Sequence, residues 1–339
     1  MINNFSNSFL NKDIDLIGFG NAIVDLIVKV EDSFLEEKNL KKGSMTLVDL
    51  DNSDSLLQNC KITQKVSGGS SANTVVSLAN LGNKVQFIGR VQDDYFGNFF
   101  SNDIKESGTI FNINQIKSNK SSAHSIIFIT PDAQRTMCTY LGASIEFDEK
   151  DIDSDAIKKS KFLYLEGYLW DNESAKKAFV QAAKIAKLAK TKIILSLSDS
   201  FCVDRHRESF LELIEEYVDI LFCNEEELKS LFNKKNISQC QSEINTLCPL
   251  NIITLGHKGS LISTKCETIE IKPHNHGEVI DTTGAGDIYA GGFIHGLLKN
   301  YPLKECGMLA SICAGFIITK LGSRTKEDLD ILIKKTLNN

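Results

Sequence analysis

The chain has 339 residues, of which 42% are hydrophobic and 24% are charged, and its formal net charge is −6. This length and composition suit a globular protein with a large core, either two modest domains or one α/β domain with an appendage. The sequence has no Lys/Arg-rich block and no apolar run of 18 residues, which argues against nucleic-acid binding and against a membrane-spanning helix.

The nine cysteines are scattered along the chain and form no C-x-x-C pair. This pattern predicts free thiols in a reducing compartment rather than a disulfide framework. His274 and His276 would share one face of a strand, but the sequence supplies no nearby third ligand for zinc. The chain begins without the basic and then apolar segments of a signal peptide, so we expect a cytoplasmic location.

Taken in chain order, the first predicted elements are strands. Segments 16–30 and 44–49 are rich in strand-forming residues, and 122–142 reads as two strands joined by a turn. These regions interrupt an otherwise regular alternation of strands and helices. We therefore predict a small β-sheet lid, formed by about 21–49 and 122–142, that projects from an α/β body.

From about residue 60 onward, short apolar runs alternate with segments of helical periodicity. This alternation predicts βαβ units and a mostly parallel sheet with helices on both faces, as in an α/β/α sandwich of the Rossmann type. The predicted strands are 84–89, 161–167, 192–198, 218–224 and 250–256, and the predicted helices are 95–108, 173–190, 205–217 and 225–232.

The segment "GFGNAI" at 18–23 begins like the glycine-rich fingerprint of dinucleotide-binding proteins. Its third glycine is replaced by Ile23, and the residues that follow predict a strand instead of the helix that the fingerprint requires. A nicotinamide-dependent oxidoreductase is therefore disfavoured. The sequence also contains no P-loop motif.

The segment "SGGSSANTVVSLANLG" at 67–82 places a glycine pair before a predicted helix. Ser70 or Ser71 could cap this helix, and Asn73 lies in its first turn. An ordinary capped turn explains the serines. The combination of Gly68, Gly69 and Asn73 also suits a close approach of backbone and amide to hydroxyl groups. The segment alone leaves both interpretations open.

The segment "DTTGAGDIYAGGF" at 281–293 carries the strongest chemical signal. Gly284 and Gly286 free the backbone at a helix N-terminus, where unpaired amides and the helix dipole favour an anion. The same dipole should lower the pKa of Asp287, leaving it ionised and able to accept a proton. A capped helix start would explain the loop. It would not explain Gly291 and Gly292, since each interior glycine costs about 1 kcal/mol relative to alanine. Close packing against this helix is expected.

Together, "GGSSANTVVSLANLG" and "DTTGAGDIYAGGF" resemble the two signatures of the PfkB, or ribokinase-like, carbohydrate and nucleoside kinases, in the order of that family. "CNEEE" at 223–227 and "TLGHKG" at 254–259 resemble its N-x-x-E segment and its nucleotide turn, although a capping box and a hairpin would explain each alone. Within the family, "GNAIVDLIVKV", "DAQRTMCTYLGAS" and "SLSDSF" resemble segments of adenosine kinases. The resemblance implies a kinase domain over 14–330.

The resemblance also implies a role for each matched residue. It implies catalysis by Asp287 as the base, with an anion hole of Gly284, Ala285 and Gly286 and with Arg135 closing over the phosphate. Substrate hydroxyls would be bound by Asn21, Asp25, Gly68, Gly69 and Asn73. The nucleotide would contact Asn224, Thr254, Gly256, Gly259 and Thr282. Asn224 and Glu227 would hold Mg²⁺ through water, and Asp281 and Thr283 could hold a monovalent cation such as K⁺.

The implied function is transfer of the γ-phosphoryl group of ATP, with Mg²⁺, to the 5′-hydroxyl of adenosine. A sugar kinase acting on ribose or fructose is the alternative within the fold, because Ser196 and Thr283 stand where eukaryotic adenosine kinases commonly have asparagine. A non-catalytic nucleotide or sugar sensor is a third reading. The resemblance implies small-molecule partners alone and a monomer or homodimer.

Overall fold

The computed structural model describes residues 12–58, 60–112, 118–132 and 134–337. The strands are β1 (Ile14–Phe19), β2 (Ile23–Lys29), β3 (Met45–Leu47), β4 (Ile62–Gly68), β5 (Val85–Ile88), β6 (Ile110–Phe111), β7 (Ala123–Ile129), β8 (Arg135–Tyr140), β9 (Ser160–Glu166), β10 (Lys192–Ser196), β11 (Ile220–Asn224), β12 (Leu250–Thr254), β13 (Ser260–Ser263) and β14 (Thr268–Ile271).

The α-helices follow the same chain order. They are α1 (Asp32–Glu37), α2 (Leu50–Leu57), α3 (Ser70–Asn80), α4 (Tyr95–Glu106), α5 (Ser154–Lys159), α6 (Glu173–Leu188), α7 (Ser200–Tyr217), α8 (Glu225–Phe232), α9 (Ile237–Leu247), α10 (Ala285–Leu298), α11 (Leu303–Ile317) and α12 (Leu329–Leu337). The helix predicted at 205–217 thus begins earlier, at Ser200, where Asp199 caps it by accepting from Phe201 N and Cys202 N.

The larger sheet has the strand order β14-β13-β12-β11-β10-β9-β1-β5-β6. Within this sheet, the strands β12, β11, β10, β9, β1, β5 and β6 pair in parallel with their neighbours. Strands β13 and β14 are added antiparallel at the β12 edge. Successive residues point to opposite faces of a strand, so Leu16 and Ile17 enter two separate hydrophobic clusters. Helices therefore cover both faces, and the predicted α/β/α architecture is confirmed.

The smaller sheet has the strand order β3-β8-β7-β2-β4 and differs from the expectation in two respects. First, the predicted strand-rich segment 16–30 is divided between the sheets, because β1 lies inside the larger sheet and only β2 belongs to the smaller one. Second, β4 pairs antiparallel with β2 and was not predicted as a strand. Most of β4 is exposed or half-buried and polar, so it lacks the apolar alternation by which a strand is recognised.

The nine cysteines are all free, as predicted. Most of them are buried, and burial raises the pKa of thiols such as Cys202 and Cys313 to about 12. None of the helices within the described part of the chain is long and apolar enough to cross a bilayer.

The glycine pair of α10 lies in close contact with two neighbouring helices. A Cβ atom at Gly291 would lie 1.8 Å from Ser77 Oγ of α3, and one at Gly292 would lie 2.9 Å from Ala310 Cα of α11. Both distances are too short for a side chain without movement of the neighbour. The expected close packing is thus present, and it brings the first turns of α3 and α10 side by side.

Replacement of Gly292 with leucine is expected to lower the melting temperature and to destabilise the fold by about 3 kcal/mol, as overpacking of a tight contact does. The backbone of Ala310 must shift to admit even the first carbon of the new side chain. Lys304→Leu adds the same side chain at an exposed position of α11 and should leave the melting temperature near the wild-type value. Equal melting temperatures for both variants in calorimetry would contradict the close packing.

Candidate active site

The candidate site lies along the edge of the larger sheet where the parallel strands end. Asn21 follows β1, Glu166 ends β9, Asn224 ends β11 and Thr254 ends β12. Ligands of open α/β sheets bind at this edge, because loops and helix N-termini converge there. Two such helix starts meet at the site: α3 follows its N-cap residue Gly69, and α10 follows Gly284, whose φ of 75° lies in the left-handed region.

Asp287 occupies the first turn of α10 and is held by the first turn of α3. Its Oδ1 accepts a hydrogen bond from Ser70 Oγ at 2.6 Å, and its Oδ2 accepts from Asn73 Nδ2 at 3.0 Å. Thr74 Oγ1 donates to the Asp287 carbonyl oxygen at 3.1 Å. The two signature segments, more than 200 residues apart in sequence, therefore meet in one corner around Asp287.

The expected direction of the Asp287 pKa is wrong. Burial raises the pKa of Asp287 to about 6, although hydrogen bonds from Ser70 and Asn73 and the charge of Arg324 lower it. Desolvation of the carboxylate outweighs these stabilising contacts. The carboxylate is still mostly ionised at neutral pH, and a pKa near 6 suits a general base better than an ordinary aspartate pKa does.

Backbone amides at the start of α10 are available for an anion. Ala285 N donates to Thr282 O at 3.2 Å, and Ile288 N donates to Gly284 O at 2.9 Å. The amides of Gly286 and Asp287 donate no hydrogen bond to any of the described residues. These two donors lie next to the Asp287 carboxylate, as an anion hole beside a proton acceptor requires.

Asp281 anchors residues 281–286, the segment that leads into α10 and that we call the anion loop. Its Oδ1 accepts from Thr283 N at 2.9 Å, and its Oδ2 accepts from Gly322 N at 2.6 Å. Arg135 at the start of β8 forms an ion pair with Asp281 and donates to Thr283 Oγ1 at 3.0 Å. Arg135 thus connects the smaller sheet to the anion loop, and its role toward a phosphate stays a prediction.

The same contacts bear on the predicted monovalent-cation site. The side chains of Asp281 and Thr283 already accept from amide and guanidinium donors, and the charge of Arg135 neutralises Asp281. A potassium ion needs oxygen ligands that are free of such donors. As arranged in the structure, these residues do not fit the ion.

Asp25 of β2 points toward the glycine pair at 68–69. A Cβ atom at Gly68 would lie 2.5 Å from Asp25 Oδ2, and one at Gly69 would lie 2.1 Å from Asn21 O. Both glycines are therefore needed for close approach, which an ordinary capped turn would not require. In the described part of the chain, no protein group donates a hydrogen bond to the Asp25 carboxylate. Burial raises its pKa to about 7, against the charges of Arg324 and Arg135.

Glu166 belongs to none of the motifs found in the sequence. Its Oε1 accepts from Asn21 N at 3.2 Å and from Asn21 Nδ2 at 2.8 Å, and its Oε2 accepts from Ser71 N at 2.7 Å. Asn21 joins β1 to β2, and Ser71 lies just after β4, so Glu166 ties together two connections between the sheets. The expected serine cap of α3 is wrong, because Gly69 is the N-cap residue. The Glu166 carboxylate instead accepts a hydrogen bond from the Ser71 amide in the first turn of α3.

The pH dependence of stability should report on this buried carboxylate. Burial raises the pKa of Glu166 to about 7, so the folded protein retains a proton that the unfolded chain loses near pH 4.5. The contribution of Glu166 to stability is full at low pH and is lost as the pH rises through about 7. Between pH 5 and 8 the free energy of unfolding of Glu166→Gln should fall less than that of wild type, by on the order of 1–3 kcal/mol.

Urea denaturation of both proteins at several pH values measures this difference. Glu267→Gln, at an exposed position, is the matched control and is expected to follow wild type. A Glu166→Gln variant whose stability falls as steeply as that of wild type would show that Glu166 does not take up the proton.

The predicted nucleotide residues lie at the far end of the same edge. Asn224 and Thr254 are register partners at the ends of β11 and β12, and Gly256 and Gly259 turn the chain between β12 and β13. Thr282 belongs to the anion loop described above. The binding of a nucleotide by these residues stays a prediction.

Glu227 is buried and forms a reciprocal capping box with Asn224. Its carboxylate accepts from Asn224 N at 3.0 Å and from Asn224 Nδ2 at 2.6 Å, while Glu227 N donates to Asn224 Oδ1 at 2.8 Å. These bonds leave lone pairs for water but no bare carboxylate for direct coordination. The pair therefore fits a magnesium ion held through its water shell, in keeping with the reluctance of Mg²⁺ to lose water.

Three residues at the site were missed or misassigned from the sequence. Ser70 was considered only as a cap, although its hydroxyl holds Asp287. Glu166 left one recognisable signal, a charged residue at the end of an apolar strand. Arg324 left none: it lies in a short C-terminal loop, and its hydrogen bond to Asn73 spans 251 residues.

Known proteins resemble this chain in sequence and in fold. The model of the family described as pfkB family carbohydrate kinase matches residues 36–329. The adenosine kinase of Sinorhizobium meliloti is 37% identical, with a TM-score of 0.90 over 95% of this chain and 99% of that one. A probable sugar kinase of Rhizobium etli is 36% identical, with a TM-score of 0.90 over 96% and 99%. The 5-dehydro-2-deoxygluconokinase of Geobacillus kaustophilus is 26% identical over 268 residues, which are 75% of this chain and 79% of that protein.

The family match spans most of the chain, and the matched region includes both signature segments and the corner that they form around Asp287. The relatives that match over most of their own length are named as kinases of sugars or nucleosides. The chain therefore belongs to the pfkB family of carbohydrate kinases and is a kinase.

Proposed function

We propose that the chain transfers the γ-phosphoryl group of ATP to a primary hydroxyl of a nucleoside, with the 5′-hydroxyl of adenosine as the first choice. The observation that carries the proposal is the corner at the start of α10. There the half-buried carboxylate of Asp287 lies beside the backbone amides of Gly286 and Asp287, which donate to no described residue. A proton acceptor next to an anion hole supports transfer of a phosphoryl group to an alcohol.

The residues divide the reaction between them. Asp25, half-buried beside Gly68, accepts hydrogen bonds from two substrate hydroxyls and so orients the primary hydroxyl toward Asp287. The bond between the acceptor oxygen and the γ-phosphorus forms as the bond to the β–γ bridging oxygen breaks. The hydroxyl proton passes to an Asp287 carboxylate oxygen and then to solvent, and ADP leaves. The amides of Gly286 and Asp287 stabilise charge on the transferring group.

Magnesium would neutralise charge on the nucleotide phosphates when bound. Glu227 and Asn224 would hold its water shell, since both side chains are already committed to their capping box. Arg135 would supply a further positive charge above the anion loop, from its position against Thr283.

A sugar kinase of the same fold is the second candidate. It is supported by the names of two relatives, the probable sugar kinase of Rhizobium etli and the 5-dehydro-2-deoxygluconokinase of Geobacillus kaustophilus. The hydroxyl contacts predicted for Asp25 and Asn73 would serve a free sugar as well as a ribose.

A panel of acceptors distinguishes the two candidates. Adenosine, other nucleosides, ribose, fructose and 5-dehydro-2-deoxygluconate are assayed with Mg-ATP for release of ADP, and kcat/KM is determined for each. The proposal predicts the largest kcat/KM for adenosine. A larger value for a free sugar would replace it with the second candidate, and turnover of none of the acceptors would refute both.

A further inference from the structure

Arg324 is a buried cation next to the catalytic corner that the proposed reaction has not yet used. It lies in the loop between α11 and α12, and its side chain is only 9% exposed. Its Nε donates to Asn73 Oδ1 at 3.0 Å, its Nη1 to Asp103 Oδ2 at 3.0 Å and its Nη2 to the Gly68 carbonyl at 3.3 Å. The Arg324 guanidinium thus connects α3, α4 and the glycine pair at 68–69.

The contact with Asn73 determines which way its amide points. A guanidinium carries only donors, so Asn73 must present its oxygen to Arg324. Its Nδ2 then faces Asp287 Oδ2 at 3.0 Å and donates to it. If the amide were flipped, Asn73 Nδ2 would face Arg324 Nε, which is also a donor. Asn73 Oδ1 would then face the Asp287 carboxylate, which is also an acceptor. Arg324 therefore selects the orientation in which Asn73 stabilises the ionised form of Asp287.

Arg324 also brings positive charge into an acidic environment. The titratable groups that interact with Asp287 include Asp25, Glu166, Glu227, Tyr164, Tyr168 and Arg324. Within this set Arg324 is the cation. Burial lowers the pKa of Arg324 only to about 10, so it remains charged at neutral pH. Its charge lowers the pKa of both Asp25 and Asp287 against the effect of burial.

We propose that Arg324 is a positioning residue for phosphoryl transfer: it fixes the Asn73 amide and supplies the positive charge that keeps Asp287 able to accept a proton. The inference rests on the proposed role of Asp287 as the base. It assigns Arg324 no direct contact with substrate, since its three hydrogen bonds go to protein groups.

The pH profile of kcat/KM tests the inference in three variants. In Arg324→Gln the acid limb should move up by about 1 pH unit, as expected when a cation close to a carboxylate is lost. Arg324→Lys keeps the charge but not the planar set of donors, so its acid limb should stay near that of wild type while kcat falls about 10-fold. Asp103→Asn leaves Arg324 in place and should keep the acid limb at or below the wild-type position.

A second measurement needs no substrate. Proteins labelled with ¹³C at aspartate carboxyl carbons are titrated by NMR, and the resonance missing from Asp287→Asn identifies Asp287. Its titration midpoint should be higher in Arg324→Gln than in wild type by the same amount as the acid limb. If the midpoint shifts but no acceptor is phosphorylated by wild type, the proposed function fails and the role of the Arg324 charge stands.

An unchanged midpoint and an unchanged acid limb in Arg324→Gln would overturn the inference, even with a reduced kcat, because a merely structural role predicts that result. If Arg324→Gln does not fold, as judged by circular dichroism, the decision passes to Arg324→Lys. Wild-type kcat in that variant would show that the donor geometry of arginine is not used.

Discussion

Replacement of Asp287 with alanine is expected to lower kcat by at least about 10³-fold, the upper range for loss of a positioned general base. The affinity for ATP should change little, since the carboxylate faces Ser70 and Asn73 rather than the predicted nucleotide residues. The loss should appear in kcat and in kcat/KM alike, because the proton is transferred only on the way to the transition state. Steady-state kinetics and calorimetric titration of ATP measure the two quantities.

Two further variants make the result specific. Glu305→Gln removes an exposed carboxylate from the first turn of the neighbouring helix α11 and should leave kcat unchanged. Ser70→Ala removes one of the hydrogen bonds to Asp287 but keeps the carboxylate, so it should lower kcat by only about 10-fold. Near-normal turnover in Asp287→Ala would contradict the assignment of the base. Loss of ATP binding in that variant would indicate a disturbed loop instead.

Replacement of Asp25 with alanine is expected to lower kcat/KM for adenosine by about 10³-fold, because a site built to pair substrate hydroxyls discriminates strongly against their loss. The effect should depend on the hydroxyls themselves. Wild type should prefer adenosine over 2′,3′-dideoxyadenosine by a factor of similar size, and in Asp25→Ala this preference should shrink to within about tenfold. The comparison isolates the contact between carboxylate and hydroxyls from other consequences of the substitution.

Stability offers an independent control for Asp25. Its carboxylate is desolvated and has no protein donor among the described residues, so alanine should not lower the melting temperature of the ligand-free protein. Asp51→Ala, at an exposed position in α2, should match wild type in both stability and kinetics. If Asp25→Ala kept the full preference for adenosine over the dideoxy analogue, Asp25 would not be the residue that binds the hydroxyls.

Local sequence patterns predict most of the fold and the glycine loop that precedes α10. The larger sheet was predictable because its strands are buried on both faces and read as short apolar runs between amphipathic helices. The glycine loop before α10 was predictable because Gly284 and Gly286 adjoin a helical pattern in the sequence, and its binding of an anion stays a prediction. The position of Asp287 beside that loop follows from the same segment.

The remaining features depend on long-range packing. The direction of the Asp287 pKa was predicted wrongly because the helix N-terminus is visible in the sequence, whereas the depth of burial is not. Strand β4 was missed because its residues are mostly polar and it lies at an edge of the smaller sheet. Arg324 reaches Asn73 and Gly68 from the other end of the chain, and no local pattern marks such a contact.

The most direct test of the central claim is the identity of the product. Wild-type protein is incubated with Mg-ATP and equimolar adenosine, and the reaction is followed by ³¹P NMR. The account predicts that one adenosine 5′-monophosphate appears for each ADP formed, and that Asp287→Ala forms neither at a comparable rate. Release of inorganic phosphate without a phosphorylated acceptor, or a phosphate on a secondary hydroxyl, would contradict it.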